Sequence, residues 1–308
     1  MSATAPIVVV GELLVDIVSH PDGHTAEHVG GSPTNVAIGL SRLDHDTHLA
    51  CLVGLDTRGR HCVEHVESAG VHLLPGSISE QHPTSTALAT IDDSGAATYV
   101  FDLYWTLPPV QLPAGVGHIH TGSIATTLEP GEAEVTDALR RGRETGTVSY
   151  DPNIRPTIMG SPDLVRPRVE ELVGLSDVVK CSDDDLTWLY PDLTPADVMA
   201  AWTDLGAALV VVTLGGKGVT WCTAAGDTGT EPARVREIVD TVGAGDSFMA
   251  GLVSGLLDAG LLGGDDARDR LRAASADEVA AAVDRALRTS GITVRRTGAY
   301  APTREEIA

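Results

Sequence analysis

Six short strand-like runs, separated by amphipathic helix-like stretches, restrict this chain to one kind of architecture. The runs are Ile7–Val10, Thr47–Val53, His118–Thr121, Thr147–Tyr150, Asp177–Lys180 and Ala207–Thr213. Between them lie Pro33–Leu43, Arg58–Ala69, Gly131–Arg143, Leu164–Gly174 and Pro195–Leu205, whose apolar positions recur at helical spacing. Near-continuous apolar strands alternating with such helices predict a mostly parallel sheet covered on both faces, a three-layer α/β/α domain. Two helical stretches, Ala244–Ala259 and Ala267–Thr289, close the 308-residue chain. No internal repeat, low-complexity tract or long linker interrupts it.

Two segments depart from the alternation. Leu13–Val18 and Thr25–Val29 read as strands with no helix between them. Thr84–Ile91 and Ala97–Trp105 flank Asp92-Asp93-Ser94-Gly95, a good hairpin turn, and the second of these carries Tyr99, Phe101, Tyr104 and Trp105. Both insertions leave the α/β core near strand ends, which predicts a small β-sheet lid over a site. The division expected is an α/β core of 1–12, 33–78 and 110–308, with a lid of 13–32 and 79–109. Free strand edges on the lid also suit a homodimer.

The balance of 43 Asp+Glu against 21 Lys+Arg, a net charge of −22, argues against a nucleic-acid partner and against docking on anionic lipid, because both need clustered cations. Only Lys180 and Lys217 are lysines, which reads as a compositional bias. The four cysteines form no CxxC pair, and the start of the chain lacks a basic region followed by an apolar run. With no apolar stretch approaching a membrane span, the expectation is a cytoplasmic protein.

In an open parallel sheet, ligands bind beyond the carboxyl ends of the strands. The residues that follow these strands are Gly11-Glu12-Leu13-Leu14-Val15-Asp16, Asp151-Pro152-Asn153-Ile154-Arg155, Cys181-Ser182-Asp183-Asp184-Asp185 and Leu214-Gly215-Gly216-Lys217-Gly218. Polar and glycine-rich segments therefore collect on one edge. The most informative stretch is Asp240-Thr241-Val242-Gly243-Ala244-Gly245-Asp246-Ser247-Phe248. Small residues there open a helix whose free N–H groups and dipole favour an anion, and Asp246 in the first turn would lie beside it. An anion cradle next to a base suits phosphoryl transfer. A glycine turn with a helix-stabilising aspartate has the same local pattern.

The longer string resembles the nucleotide-site signature of the ribokinase-like (PfkB) carbohydrate kinase family. Gly30-Gly31-Ser32-Pro33-Thr34-Asn35 is similar to that family's sugar-binding signature, and Gly54-Leu55-Asp56-Thr57-Arg58-Gly59 resembles its G-x-D-x-x-G turn. Thr213-Leu214-Gly215 and Arg296-Thr297-Gly298-Ala299 fall in family order, so the resemblance spans essentially the whole chain. It implies an ATP-dependent sugar kinase with Asp246 as general base and Gly243, Ala244 and Gly245 as the anion hole. Asp16, Gly31 and Asn35 would contact sugar hydroxyls, and Tyr104 of the lid belongs to the same substrate group. Thr213, Gly215 and Gly218 would lie along ATP, and Asp240 near a monovalent cation such as K⁺ if one is used.

One departure from the family pattern concerns the Asn/Ser-x-x-Glu motif tied to Mg²⁺ and phosphate. Here it is Ser182-Asp183-Asp184-Asp185, one methylene shorter, so Asp185 would act through a bridging water. Within the family the chain is most similar to fructokinases, which implies fructose as acceptor. Arg155 suits an acidic substrate, which keeps 2-keto-3-deoxygluconate beside ribose or a nucleoside as alternatives. A catalytically silent sugar-binding protein is the alternative of another class. The pairs His118/His120 and His61/His65 lack further metal ligands and read as satisfied or surface histidines. Trp188, Trp202 and Trp221 are expected in the core.

Overall fold

A computed structural model describes residues 5–20, 22–91, 97–235, 237–264 and 266–308. The expected turn at 92–95 lies outside the described residues. In chain order the elements begin β1 (Ile7–Val10), β2 (Leu14–Ser19), β3 (Thr25–Gly30), α1 (Ser32–Arg42), β4 (Thr47–Ala50), β5 (Val53–Gly54) and α2 (Thr57–Ser68). Short strands β6 (His72–Leu73) and β7 (Ile78–Ser79) precede β8 (Thr86–Ile91) and β9 (Ala97–Asp102). A regular alternation follows: β10 (His118–Gly122), α3 (Gly131–Arg143), β11 (Thr147–Asp151), α4 (Pro156–Met159), α5 (Pro162–Leu175), β12 (Val178–Ser182), α6 (Asp183–Leu189), α7 (Pro195–Leu205) and β13 (Leu209–Thr213). β14 (Val219–Thr223), β15 (Thr228–Glu231), α8 (Ala244–Asp258), α9 (Ala267–Arg272) and α10 (Ala276–Thr293) complete the chain.

Nine strands form the large sheet in the order β15-β14-β13-β12-β11-β10-β1-β4-β6, parallel except for the β13/β14 and β14/β15 pairs, which are antiparallel. Side chains alternate across it. Ile7 and Val9 join Val36, Leu40, Phe248 and Val283 on one face, while Val8 and Val10 join Leu139, Leu172 and Trp202 on the other. The chain winds from β1 outward to β4 and β6, then returns to β10 and proceeds the other way. The β1/β10 junction is therefore the topological switch point, where a crevice opens beyond the strand ends. A separate four-stranded sheet, β3-β2-β8-β9, is built from the two segments that departed from the alternation. No helix among the described residues is long and apolar enough to cross a membrane.

Four expectations need correction. The run Thr47–Val53 splits, because the chain leaves the large sheet after Ala50 and Val53–Gly54 pairs with Ile78–Ser79 instead. The stretch Ala267–Thr289 is two helices, since Ser275 caps α10 in a reciprocal box with Glu278 and so starts a new helix. The strand expected over Ala97–Trp105 ends at Asp102. Beyond it, the Tyr104 N–H donates to Ser85 Oγ (2.9 Å), and the buried Trp105 donates from Nε1 to the Ala125 carbonyl (2.9 Å). Trp188 is only half-buried at the core's margin, whereas Trp202 and Trp221 are buried.

Candidate active site

The start of α8 is the centre of the crevice. Gly243 caps the helix in the left-handed region (φ 72°), and a Cβ there would fall 2.7 Å from Ala299 Cα, so only glycine fits. The Ala244 N–H is taken by the Thr241 carbonyl (3.2 Å). Those of Gly243, Gly245 and Asp246 have no partner among the described residues and remain open to an anion. Asp246 is buried, and α1 reaches it from across the switch point. Ser32 Oγ donates to Asp246 Oδ1 (2.7 Å) and Asn35 Nδ2 donates to Oδ2 (2.8 Å). Asn153, beyond β11, donates from Nδ2 to Ser32 Oγ (2.6 Å) and to Asp246 Oδ1 (3.4 Å). Arg155 in turn fixes that amide, donating from Nη1 to Asn153 Oδ1 (2.6 Å).

Asn153, Ser32 and Glu12, to which no motif assigns a role, therefore belong to the site. Glu12 is buried at the switch point, where Oε1 accepts from the Ser32 N–H (3.3 Å) and Oε2 from the Ala125 N–H (3.2 Å). It thus ties the loop before α1 to the loop after β10. Burial pushes its carboxyl from 4.5 up to about 7, against the pull of these hydrogen bonds and of Arg155. The folded protein therefore binds this proton more tightly than the unfolded chain does. That stability is complete below pH 4.5 and is lost as pH rises through 7. In urea unfolding, wild type minus Glu12→Gln should fall by about 2.5 kcal/mol between pH 5 and pH 8. A difference that stays flat with pH would overturn this.

The other predicted residues are spread around the same crevice. Asp16 lies on β2, exposed, in register with His28 of β3. Gly31 is the N-cap of α1, and Tyr104 stacks on His82 (5.5 Å). Thr213 ends β13, and Gly215 and Gly218 follow it, both with positive φ. Asp240 closes two loops, accepting from the N–H groups of Val242 (3.0 Å) and Gly298 (2.8 Å). Asp185 Oδ2 accepts from the Ser182 N–H (2.8 Å) and Oγ (2.7 Å), and Oδ1 accepts from the Ile154 N–H (2.8 Å). It completes the capping box of α6, whose N-cap is Ser182, and pins the loop that carries Asn153 and Arg155. Among the described residues no three His, Cys, Asp or Glu side chains form a group able to hold a metal. A divalent ion suits this site only as one that keeps most of its ligands from water and phosphate.

His118 and His120 are buried; both ring nitrogens of His118 meet the hydroxyls of Thr147 and Ser149 (2.8–2.9 Å), and His120 Nδ1 meets Ser149 Oγ (3.0 Å), while its Nε2 has no partner among the described residues. Burial pushes both imidazoles down to about 3, so both are neutral core residues. A cleft of about 480 Å³ lies apart from Asp246, between α10 and the segment after β15, lined by Val235, Leu287 and Ile292 with Arg234, Arg288 and Arg295 around it.

The doubly wound sheet, the second small sheet and the open helix start define a ribokinase-like α/β fold. A fructokinase from Vibrio cholerae, solved with fructose, ADP and a calcium ion, superposes with a TM-score of 0.84 at 26% identity over 99% of this chain and 98% of its own. Curated fructokinases from Klebsiella pneumoniae (32% identical, 83% of this chain and 85% of theirs) and Escherichia coli (30%, 99% and 98%) are similar in sequence. The model of the pfkB family carbohydrate kinases matches residues 4–306. The chain belongs to that family and is an ATP-dependent carbohydrate kinase.

Proposed function

We propose that this kinase transfers the γ-phosphoryl group of ATP to a hydroxyl of fructose, with Asp246 as general base. The observation that carries the reading is Asp246 itself. Its carboxylate is held by two donors from α1 and stands one residue from unpartnered N–H groups at a helix start. Asp246 takes the hydroxyl proton as the sugar oxygen bonds to the γ-phosphorus. The bond from phosphorus to the β,γ-bridging oxygen breaks, and ADP leaves with its electron pair. The open N–H groups stabilise charge on the moving group. A divalent cation carried by the nucleotide would screen the phosphate oxygens, with Asp185 acting through water and Asp240 beside a monovalent cation.

Asp16, Gly31, Asn35, Tyr104 and Arg155 are assigned to the sugar side. Thr213, Gly215 and Gly218 are assigned to ATP. The base end of the nucleotide is assigned to the Val235–Leu287–Ile292 cleft, since the segment that leaves β15 passes Gly218 at Glu231, Pro232 and Ala233 and then enters the cleft's wall at Arg234 and Val235. The small sheet would close over the sugar and exclude water, which limits wasteful ATP hydrolysis. Exposed Tyr99 and Val100 on its edge strand β9 support a homodimer through the same sheet.

Fructose is favoured because the similar curated chains carry that activity in their names. A nucleoside acceptor is the second reading, because an aminoimidazole riboside kinase from Salmonella enterica superposes with a TM-score of 0.80 at 25% identity. Coupled ADP production with ATP and Mg²⁺ against fructose, ribose, 2-keto-3-deoxygluconate and aminoimidazole riboside tests both. The highest kcat/KM is expected on fructose. A higher value on another acceptor overturns the substrate assignment, and sugar-dependent stabilisation without turnover would indicate a silent binder.

A further inference from the structure

Lys180 is one of two lysines in a chain whose other side-chain cations, arginines, outnumber them many times over, and it is 3% exposed. It lies near the end of β12 on the face that packs beneath α8. Its Nζ donates to Asp151 Oδ2 (2.8 Å), and Asp151 is fully buried. The other oxygen of Asp151 has no partner among the described residues, so Lys180 is what compensates this buried charge. Burial opposes the ammonium's charge, but Asp151, Asp185 and Asp246 outweigh it and hold its pKa above the usual lysine value. Burial raises Asp151 to about 6, opposed chiefly by Lys180.

The position of the pair gives it a role. A Cβ at Gly245 would fall 3.0 Å from Lys180 Nζ, so the ammonium presses against the first turn of α8, directly beside an open N–H group of the anion hole. Two sources of positive potential, the helix start and a buried ammonium, therefore converge on one point. Such convergence is unfavourable in a resting protein unless something negative balances it. Asp151 below and Asp246 beside it do so in part, and a transferring phosphoryl group would complete the balance. A guanidinium is larger and planar, and a compact ammonium is what the space under Gly245 admits.

We propose that Lys180, fixed by Asp151, is a positioning residue of phosphoryl transfer. Its ammonium braces the first turn of α8 from below and strengthens the pull of the Gly245 and Asp246 N–H groups on charge that develops during transfer. The proposal rests on the reading of α8 as the anion hole and adds residues to which neither motif nor fold assigned a part.

Single substitutions would strand a buried charge, so the test removes both together. Lys180→Met/Asp151→Asn keeps the volumes and leaves no ion. Wild type, this double variant and Asp246→Asn are compared by coupled assay, calorimetric ADP binding and thermal unfolding. The double variant should lose roughly 100-fold in kcat, while both KM values and the ADP affinity stay within about threefold. Wild-type kcat in the double variant overturns the proposal. So does a double variant that fails to fold, because the pair would then serve the fold, or one whose ADP affinity falls in step with kcat, because the pair would then serve ground-state nucleotide binding. If Asp246→Asn itself stays active, the anion-hole reading fails first, and the two failures are separable.

Discussion

Asp246→Asn should lower kcat by about 1,000-fold, or about 4 kcal/mol of transition-state stabilisation, with the sugar KM and the unfolding temperature nearly unchanged. The amide keeps the shape of the carboxylate and removes only its charge and its capacity to take a proton. Ser32 can turn its hydroxyl to accept where it now donates, so its bond to the side chain survives the exchange readily. The Asn35 amide can also flip, though its present donation to Oδ2 is then lost. Coupled ADP production with fructose, beside calorimetric binding of fructose, checks both halves. Retained turnover would remove the general base from the mechanism. Lost turnover together with lost fructose binding would instead make Asp246 a substrate ligand, because a proton acceptor acts on the bond-making step and leaves ground-state binding alone.

The parts of this molecule that were legible in its sequence are those written in local patterns. Gly131–Arg143 and Pro195–Leu205 match their helices at both ends, because each has a proline or an acid near its start and a clear apolar stripe. Gly-Ala-Gly-Asp was legible because a helix start that binds an anion needs small residues and a nearby acid within a few positions. The hairpin of β14 and β15 was missed. Its strands mix Thr, Cys, Trp and Gly, and the pairing of β14 to β13 and of β15 to β14 is antiparallel in an otherwise parallel sheet. Asn153, Glu12 and the Lys180–Asp151 pair were missed for another reason. Each is a single polar residue whose meaning lies in a partner 20 or more positions away, Ser32 for Glu12 and Asp151 for Lys180. No window along the chain contains both members. A buried lysine in an arginine-rich chain was a visible signal, but only the sheet register shows that it faces Asp151.

Gly31→Ala should cost about 3 kcal/mol of stability and roughly 100-fold in kcat/KM. Gly31 caps α1 at φ 113°, ψ 120°, a conformation that side chains rarely adopt. The added Cβ would fall 2.3 Å from the Glu12 carbonyl oxygen, a backbone atom already held by Thr34 Oγ1 (2.8 Å). Neither partner can give way without moving the chain. Any shift that relieves the contact displaces the start of α1, where Ser32 and Asn35 hold Asp246 and where Glu12 meets the Ser32 N–H. Stability and catalysis should therefore fall together, in contrast to Asp246→Asn, where only catalysis falls. Gly264→Ala is the control, because a Cβ there has its nearest neighbour at 3.7 Å. That variant should be within about 0.5 kcal/mol of wild type and fully active. Urea unfolding and the coupled assay on the same preparations decide the matter. A Gly31→Ala protein with wild-type stability would show that α1 can shift without cost, and the crevice would then owe its shape to something other than this turn.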